Sequence, residues 1–303
     1  MQKTLISPSV VGAVVVTYQP DLTALHRLLQ ALPSAIVATV VVHNGGWDDD
    51  ACYRRFVSCV QHPRRQWVQM SGNAGIAAAL NRGIAELTTL GCTHAWTFDQ
   101  DSCPRPETLD ILWAAWQAAA RQMPVAAVVP AIHDQGTGNT LPFLLEHPSG
   151  VLEATPIHQT QPVAAAITSG MLLDVAVWQT SGGAREDWFI DHVDTEWCFR
   201  VRAQGYGVVA VPAAVLQHEL GHTRTAFYRS NRTVKVRSAL RTYYMLRNGW
   251  ALARLPHAPQ GWLPYFWRQA WRIMLVAVVY GPNRWQQLRA MYRAWWHAQR
   301  MDV

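Results

Sequence analysis

The chain has 303 residues, 50% of them hydrophobic and 15% charged, enough to bury a sizeable core in one large or two small domains and too apolar for a disordered or collagen-like polymer. Its five cysteines, Cys52, Cys59, Cys92, Cys103 and Cys198, are odd in number and form no C-x-x-C pair, which argues against a disulfide framework or a cysteine zinc site and for a reducing compartment. The net charge of +6 is uneven: residues 1–220 hold 12 basic and 19 acidic side chains (net −7), and residues 221–303 hold 14 basic ones and a single acid, Asp302 (net +13).

Met1 to Val11 carries one lysine and no long apolar run, so no secretory signal is expected. Val10 to Thr17 is a continuous β-branched run, the pattern of a strand buried on both faces. Pro20 to Leu32 repeats leucine at helical spacing. Ile36 to His43 reads as a second buried strand, closed by Asn44-Gly45-Gly46, and Trp67 to Met70 as a short third. A helix over Ala74 to Leu87, a strand over Ala95 to Phe98, a helix over Pro106 to Gln122 and a strand over Val125 to Val129 complete an alternating β-α order. That order places the chain in the α/β class with a mostly parallel sheet.

Ligands of such sheets bind beyond the carboxyl ends of the strands. Polar residues cluster there four times: Thr17-Tyr18, His43-Asn44, Asn73, and Asp99-Gln100-Asp101. The dinucleotide fingerprint G-x-G-x-x-G and the P-loop are both absent. Asp99 and Asp101 project to the same side of an extended segment, where two carboxylates suit a shared Mg²⁺ or Mn²⁺ held together with a substrate diphosphate. Asn73-Ala74-Gly75 opens a helix whose N-terminus favours anions, although capping by Asn73 alone explains the same residues. Glu186 to Arg200 sets Asp187, Asp191, Asp194 and Glu196 among aromatic side chains, surroundings that raise a carboxyl pKa and suit a general base.

Taken in order, VVVTYQP, a strand ending in Asn-Gly, NAGIAAALNRGI, DQDS, TSGMLL, FIDHVDTEWCFRVRAQGY and His-x-x-Gly resemble glycosyltransferase family 2 over about residues 10–250. The DQDS and FIDHVDTEWC versions resemble its rhamnosyltransferase branch. The resemblance implies a GT-A fold over residues 1–223, followed by a helical, basic, Trp-rich region over 224–303, and inverting transfer from a nucleotide-diphosphate sugar. It further implies dTDP-rhamnose as donor, with a UDP-sugar as the alternative, Mg²⁺ or Mn²⁺ as cofactor, and a lipid-linked surface glycan such as O-antigen as acceptor at the cytoplasmic side of the membrane. By the same resemblance Thr17, Tyr18, Asn44, Asn73 and Asp99 hold the nucleotide, and Asp99, Asp101 and His218 the metal. Asp194 is then the catalytic base with Asp191 as second candidate, Ser169, Gly170 and Trp188 border the acceptor, and Arg247-Asn248 lies near the phosphates. The chain departs from many members in having His43 where they carry Asp.

Two further patterns compete with or extend this reading. His218-Glu219-Leu220-Gly221-His222 matches the zinc-peptidase motif H-E-x-x-H, but no glutamate follows it to serve as the third ligand, which leaves His257 as the candidate, and Pro212 with the following Val-Leu suits a strand. At the other end, Trp285, Leu288, Tyr292 and Trp295 form one helical stripe and Arg289, Arg293, His297 and Arg300 another. Packing on the body and contact with an anionic membrane surface both account for that amphipathic helix, while no nucleic-acid-binding motif accompanies its charge.

Overall fold

A computed structural model describes residues 11–45, 50–218, 224–228, 232–281 and 283–301. Strand β1 (Val11–Thr17) leads through α1 (Leu22–Ala31) to β2 (Ala38–His43), then through α2 (Asp50–Val60), β3 (Arg65–Gln69) and α3 (Gly75–Thr89) to β4 (His94–Asp99). A short β5 (Ser102–Pro104) precedes α4 (Thr108–Ala120) and β6 (Val125–Asp134). Next come a hairpin of β7 (Phe143–Glu146) and β8 (Leu152–Thr155), then β9 (Gln161–Pro162), β10 (Leu172–Asp174) and α5 (Val175–Thr180). A single 3₁₀ turn, Glu186–Trp188, introduces α6 (Val193–Ala203) and β11 (Gly207–His218). The hairpin of β12 (Arg224–Tyr228) and β13 (Arg232–Val236) leads to α7 (Ala239–Leu252), α8 (Trp262–Tyr280) and α9 (Arg284–Ala298).

The main sheet runs in the order β3-β2-β1-β4-β10-β6-β11-β5, with β9 also on β11. Neighbours β3, β2, β1 and β4 are parallel, as are β6 and β11, whereas β10 runs antiparallel between β4 and β6. The expected mostly parallel α/β sheet is therefore present, with one reversed strand at its centre. Every residue of β1 is buried, because helices cover both faces. Val14 and Val16 pack on the α3 side and Val11, Ala13 and Val15 on the α1 and α4 side, the two-residue alternation of a strand. Helix α3 lies close on the sheet at Gly83, where a Cβ would collide with Val14.

The helix α2, the hairpin β7–β8 and the short β9 and β10 carry too little periodicity to be read from sequence. The division expected after residue 223 falls outside the described residues. Leu246, Trp250, Trp262, Phe266, Met291 and Ala294 of the last three helices join the same core cluster as Val14. His218 ends the strand β11 rather than sitting on a helix, and Glu219 to His222 lie outside the described residues.

Candidate active site

The carboxyl ends of the strands open into a cleft of about 910 Å³, lined among others by Tyr18, Asn44, Asn73, Asp99, Asp101 and His218. Register explains how distant residues meet. Val16 of β1 pairs with Asp99 of β4, and His218 at the end of β11 pairs antiparallel with Ser102, the residue after Asp101. The His218 ring thus stands beside both acids, with Nε2 3.6 Å from Asp99 Oδ2 and Nδ1 3.4 Å from Asp101 Oδ1. Gln100 between them accepts a hydrogen bond from the Tyr18 amide at 2.7 Å, which ties the acidic loop to the end of β1.

Asp99, Asp101 and His218 place one ligand atom each within 4.8 Å of one another. His218 is buried and its Nδ1 makes no hydrogen bond. Two carboxylates and an imidazole so disposed fit a divalent cation such as Mg²⁺ or Mn²⁺, and this set would hold it. Burial pushes the Asp99 carboxyl above its usual range, with His218 opposing and Asp101 reinforcing the shift.

Asn44 anchors the next turn of the cleft. Its amide donates to Gly75 O at 3.0 Å and to Asn73 Oδ1 at 3.3 Å, and its Oδ1 accepts from the Ala74 amide at 2.9 Å. Asn73 Oδ1 accepts from the Gly75 amide at 3.1 Å, so both asparagines hold the start of α3 while lining the cleft.

The opposite wall is Phe189 to Thr195. Phe189, Asp191 and His192 have φ of 64°, 63° and 61°, three left-handed residues within four, none of them glycine. Such conformations cost about 1–3 kcal/mol each and persist only where surroundings fix them. Asn248 donates to the carbonyls of Trp188, Ile190 and Asp191 at 2.9, 2.8 and 2.8 Å, and Arg247 to those of Asp187 and Trp188 at 2.9 and 3.1 Å. From the other side the Ile76 amide donates to Phe189 O at 2.7 Å, and Gly75, at φ 87°, leaves no room for a Cβ against Phe189.

This clamped loop delivers Asp191, His192 and Asp194 to the cleft. Burial pushes the Asp194 carboxyl up to about 6, against the pull of its hydrogen bond from the Thr195 amide, and the Asp191 and Asp99 charges add to the rise. A base poised near neutrality can take a proton from a hydroxyl. Asp191 instead accepts from Arg241 at 3.3 Å and is committed to an ion pair. Burial lowers His192 to about 4, so its ring is neutral at pH 7.

Glu196, also within the acidic cluster, faces the core. It holds Arg200 at 2.9 and 2.8 Å and His257 at 2.9 Å. Burial alone would raise its pKa, but bonds from His257 and Arg200 outweigh that and lower it. His257 is thereby engaged with Glu196 on α6 and does not join the cluster around His218, so it does not supply a zinc peptidase's third ligand.

Several expected contacts are not made directly. Thr17 is fully buried and bonds Val42 O and His43 Nδ1, leaving Val16 and Tyr18 to line the cleft. The unusual His43 is accommodated in the core against Phe56 and does not border the cleft. Ser169 and Gly170 lie behind the wall. Ser169 bonds Ser102 at 2.5 Å and receives the Asp99 amide at 3.3 Å, and Gly170, at φ 78°, is closed in by Pro130 and Leu216. Trp188 is a core residue with no exposed surface, and Phe189 and Ile190 take its place at the wall. Arg247 braces the loop under Tyr244 rather than reaching the cleft. The arginines that do line it are Arg237 and Arg241, which no motif marked. Burial and the neighbouring Arg241 lower the Arg237 pKa, so the two form a close positive pair beside Asp191.

Comparison with known proteins gives the class. The fold matches that of GalNAc-T7, crystallised with UDP, GalNAc and Mn²⁺ (TM-score 0.57, 11% identity, 86% of this chain), although this chain covers only 55% of that one. It also matches TarS residues 1–349 of S. aureus (TM-score 0.59, 12% identity, 94% of this chain and 80% of that one). A third match is the mannosyltransferase PcManGT of Pyrobaculum calidifontis, in complex with GDP-Man and Mn²⁺ (TM-score 0.53, 16% identity, 97% and 76%). The chain thus has the GT-A fold, with a candidate site for a divalent metal at its sheet ends.

In sequence it is 28% identical over 250 residues to the dTDP-rhamnosyl transferase RfbF of Shigella flexneri, covering 82% of this chain and 81% of that protein. No family model matches the chain. Fold and sequence likeness together make it a glycosyltransferase, and its likeness to RfbF agrees with the rhamnosyltransferase resemblance of its motifs.

Proposed function

We propose that this enzyme transfers L-rhamnose from dTDP-rhamnose, with inversion, to a hydroxyl of a lipid-linked surface glycan at the cytoplasmic side of the membrane. The observation that carries the reaction is that the Asp99–Asp101–His218 cluster and the poised Asp194 line one cleft. The RfbF likeness supports rhamnose and a thymidine nucleotide. Tyr18, Asn44, Asn73 and Asp99 would face the nucleotide, and Asp99, Asp101 and His218 would hold the metal. Asp194 takes the proton of the acceptor hydroxyl as its oxygen bonds to the anomeric carbon and the bond from that carbon to the diphosphate breaks. Arg237 and Arg241 sit where positive charge favours the departing diphosphate. A bound divalent cation supplies Lewis-acid stabilisation to the same leaving group.

A thermal-shift series of dTDP, UDP and GDP, each with Mn²⁺ or Mg²⁺, tests the donor. A nucleotide at about 100 times its Kd stabilises the folded state by about 2.7 kcal/mol. The expected result is a metal-dependent rise, largest with dTDP and lost in Asp101→Asn. A larger rise with UDP would overturn the thymidine donor and favour a UDP-sugar instead.

A further inference from the structure

The stripe Trp285, Leu288, Tyr292 and Trp295 does not pack on the body. Among the described residues 14 large apolar side chains are exposed, and ten of them lie on α8 and α9. On α8 they are Leu263, Trp267, Trp271, Leu275 and Val279, one residue per turn along a single ridge. On α9 they are Trp285, Leu288, Tyr292, Trp295 and Trp296, and Trp285 retains 82% of its surface. Both helices are nonetheless firmly seated. The buried face of α9 is Gln287, Met291, Ala294 and Ala298. Gln287 donates to Arg237 O at 2.9 Å, Tyr243 and His297 bond at 2.6 Å, and Arg254 donates to Ala298 O at 2.5 Å.

We infer that α8 and α9 form a docking face for an anionic lipid bilayer. Six exposed arginines, Arg268, Arg272, Arg284, Arg289, Arg293 and Arg300, are interleaved with the aromatic ridges. Between Asn248 and Met301 the sequence has no aspartate or glutamate. Tryptophan beside arginine is the composition that settles at the level of lipid headgroups, aromatic body in the acyl boundary and charge among phosphates. The same face of a second copy, in a two-fold pairing, would bring arginine against arginine with no acid on either helix to offset the repulsion. A phosphate backbone offers no partner to the aliphatic ridge of Leu275, Val279 and Leu288, whereas acyl chains take them directly. No helix among the described residues is long and apolar enough to cross a membrane, so the attachment is to one surface.

This attachment stands on the surface alone, and its test needs no transfer activity. The full chain is floated with phosphatidylglycerol-containing or pure phosphatidylcholine vesicles. Binding to the first only is expected, with Trp fluorescence quenched by brominated acyl chains. Trp271→Ser with Trp285→Ser and Trp295→Ser, all exposed positions, weakens binding by at least about tenfold at unchanged melting temperature. Each of Arg272→Gln and Arg289→Gln weakens it by about fivefold at low salt. Absence of flotation by the wild type, a Trp variant that floats as well, or a dimer in solution that the same Trp variant splits would each overturn the inference.

Discussion

Tryptophan is used in opposite ways at the two ends of this molecule. Around the sheet, Trp96, Trp188 and Trp197 have no exposed surface and brace the elements that carry the cleft. On the last two helices, Trp271 and Trp285 keep 66% and 82% of theirs. The difference teaches that an aromatic stripe does not by itself mark the inner face of a helix. On α9 the inner face is the small-residue stripe of Ala294 and Ala298 with Met291, because a close approach to α7 leaves no space for larger rings. The indoles are left facing out.

The contrast can be broken or sharpened by substitution. The largest effect is expected at the cleft itself. Asp194→Asn should lower turnover by about 10³-fold while nucleotide and metal still bind, because only the proton acceptor is removed. Near-normal turnover in a coupled diphosphate-release assay would take the base away from Asp194. Next, Trp188→Ala should cost about 3–5 kcal/mol in denaturant unfolding, as an emptied core site does. Asn248→Ala strips the strained loop of three hydrogen bonds. It should lower turnover by roughly tenfold and stability by about 1–3 kcal/mol, with KM for the donor nearly unchanged.

The pH profile is a milder probe. With Asp194 raised to about 6, turnover should fall roughly tenfold per pH unit below that value and level off above it. The stability sign is the reverse. Folding favours the protonated carboxyl, so its contribution is full below the ordinary carboxylate range and is lost as pH rises through about 6. Asp194→Asn should therefore melt slightly higher than wild type at pH 7.5, and equal or lower melting would contradict the raised pKa. The smallest effect belongs to Trp285→Ala, which should change unfolding free energy by less than about 0.5 kcal/mol. A core-sized loss there would erase the distinction between the two sets of tryptophans.

The same contrast explains what the sequence discloses. Strand β1 is legible as an unbroken run rich in β-branched residues and helix α3 as apolar residues repeated over several turns. Asp99, Asp101 and Asp194 are legible through the order of motifs that carries the family resemblance, since composition alone does not separate Asp194 from Glu196, which serves the core. Thr17, Ser169 and Trp188 lie one residue away from side chains that do face the cleft. In extended or turning backbone one residue reverses the direction of the side chain. Arg237 and Arg241 lie in a long basic region in which the sequence singles out no arginine for the cleft. Only the hairpin β12–β13 and the start of α7 turn these two toward Asp191. Nor does the spacing of Asn248 from Asp191 announce that the one holds the other, since that bond exists only once α7 is packed.

The reversed strand β10 has a consequence for how the chain is made. Leu172 pairs with Trp96 on one side and Val128 on the other, so it is the seam between two parallel halves of the sheet. As synthesis proceeds, β1 to β4 emerge with their helices and can pair locally, and β6 follows. The gap between β4 and β6 stays open until residues near Asp174 leave the ribosome. Up to that moment two strand edges wait unpaired in mid-sheet, the arrangement most exposed to wrong partners. Three residues near the middle of the polypeptide thus join β4 to β6, and the far edge of β6 stays open until β11 follows, so a delay in translation before either strand would prolong an interval with unpaired strand edges.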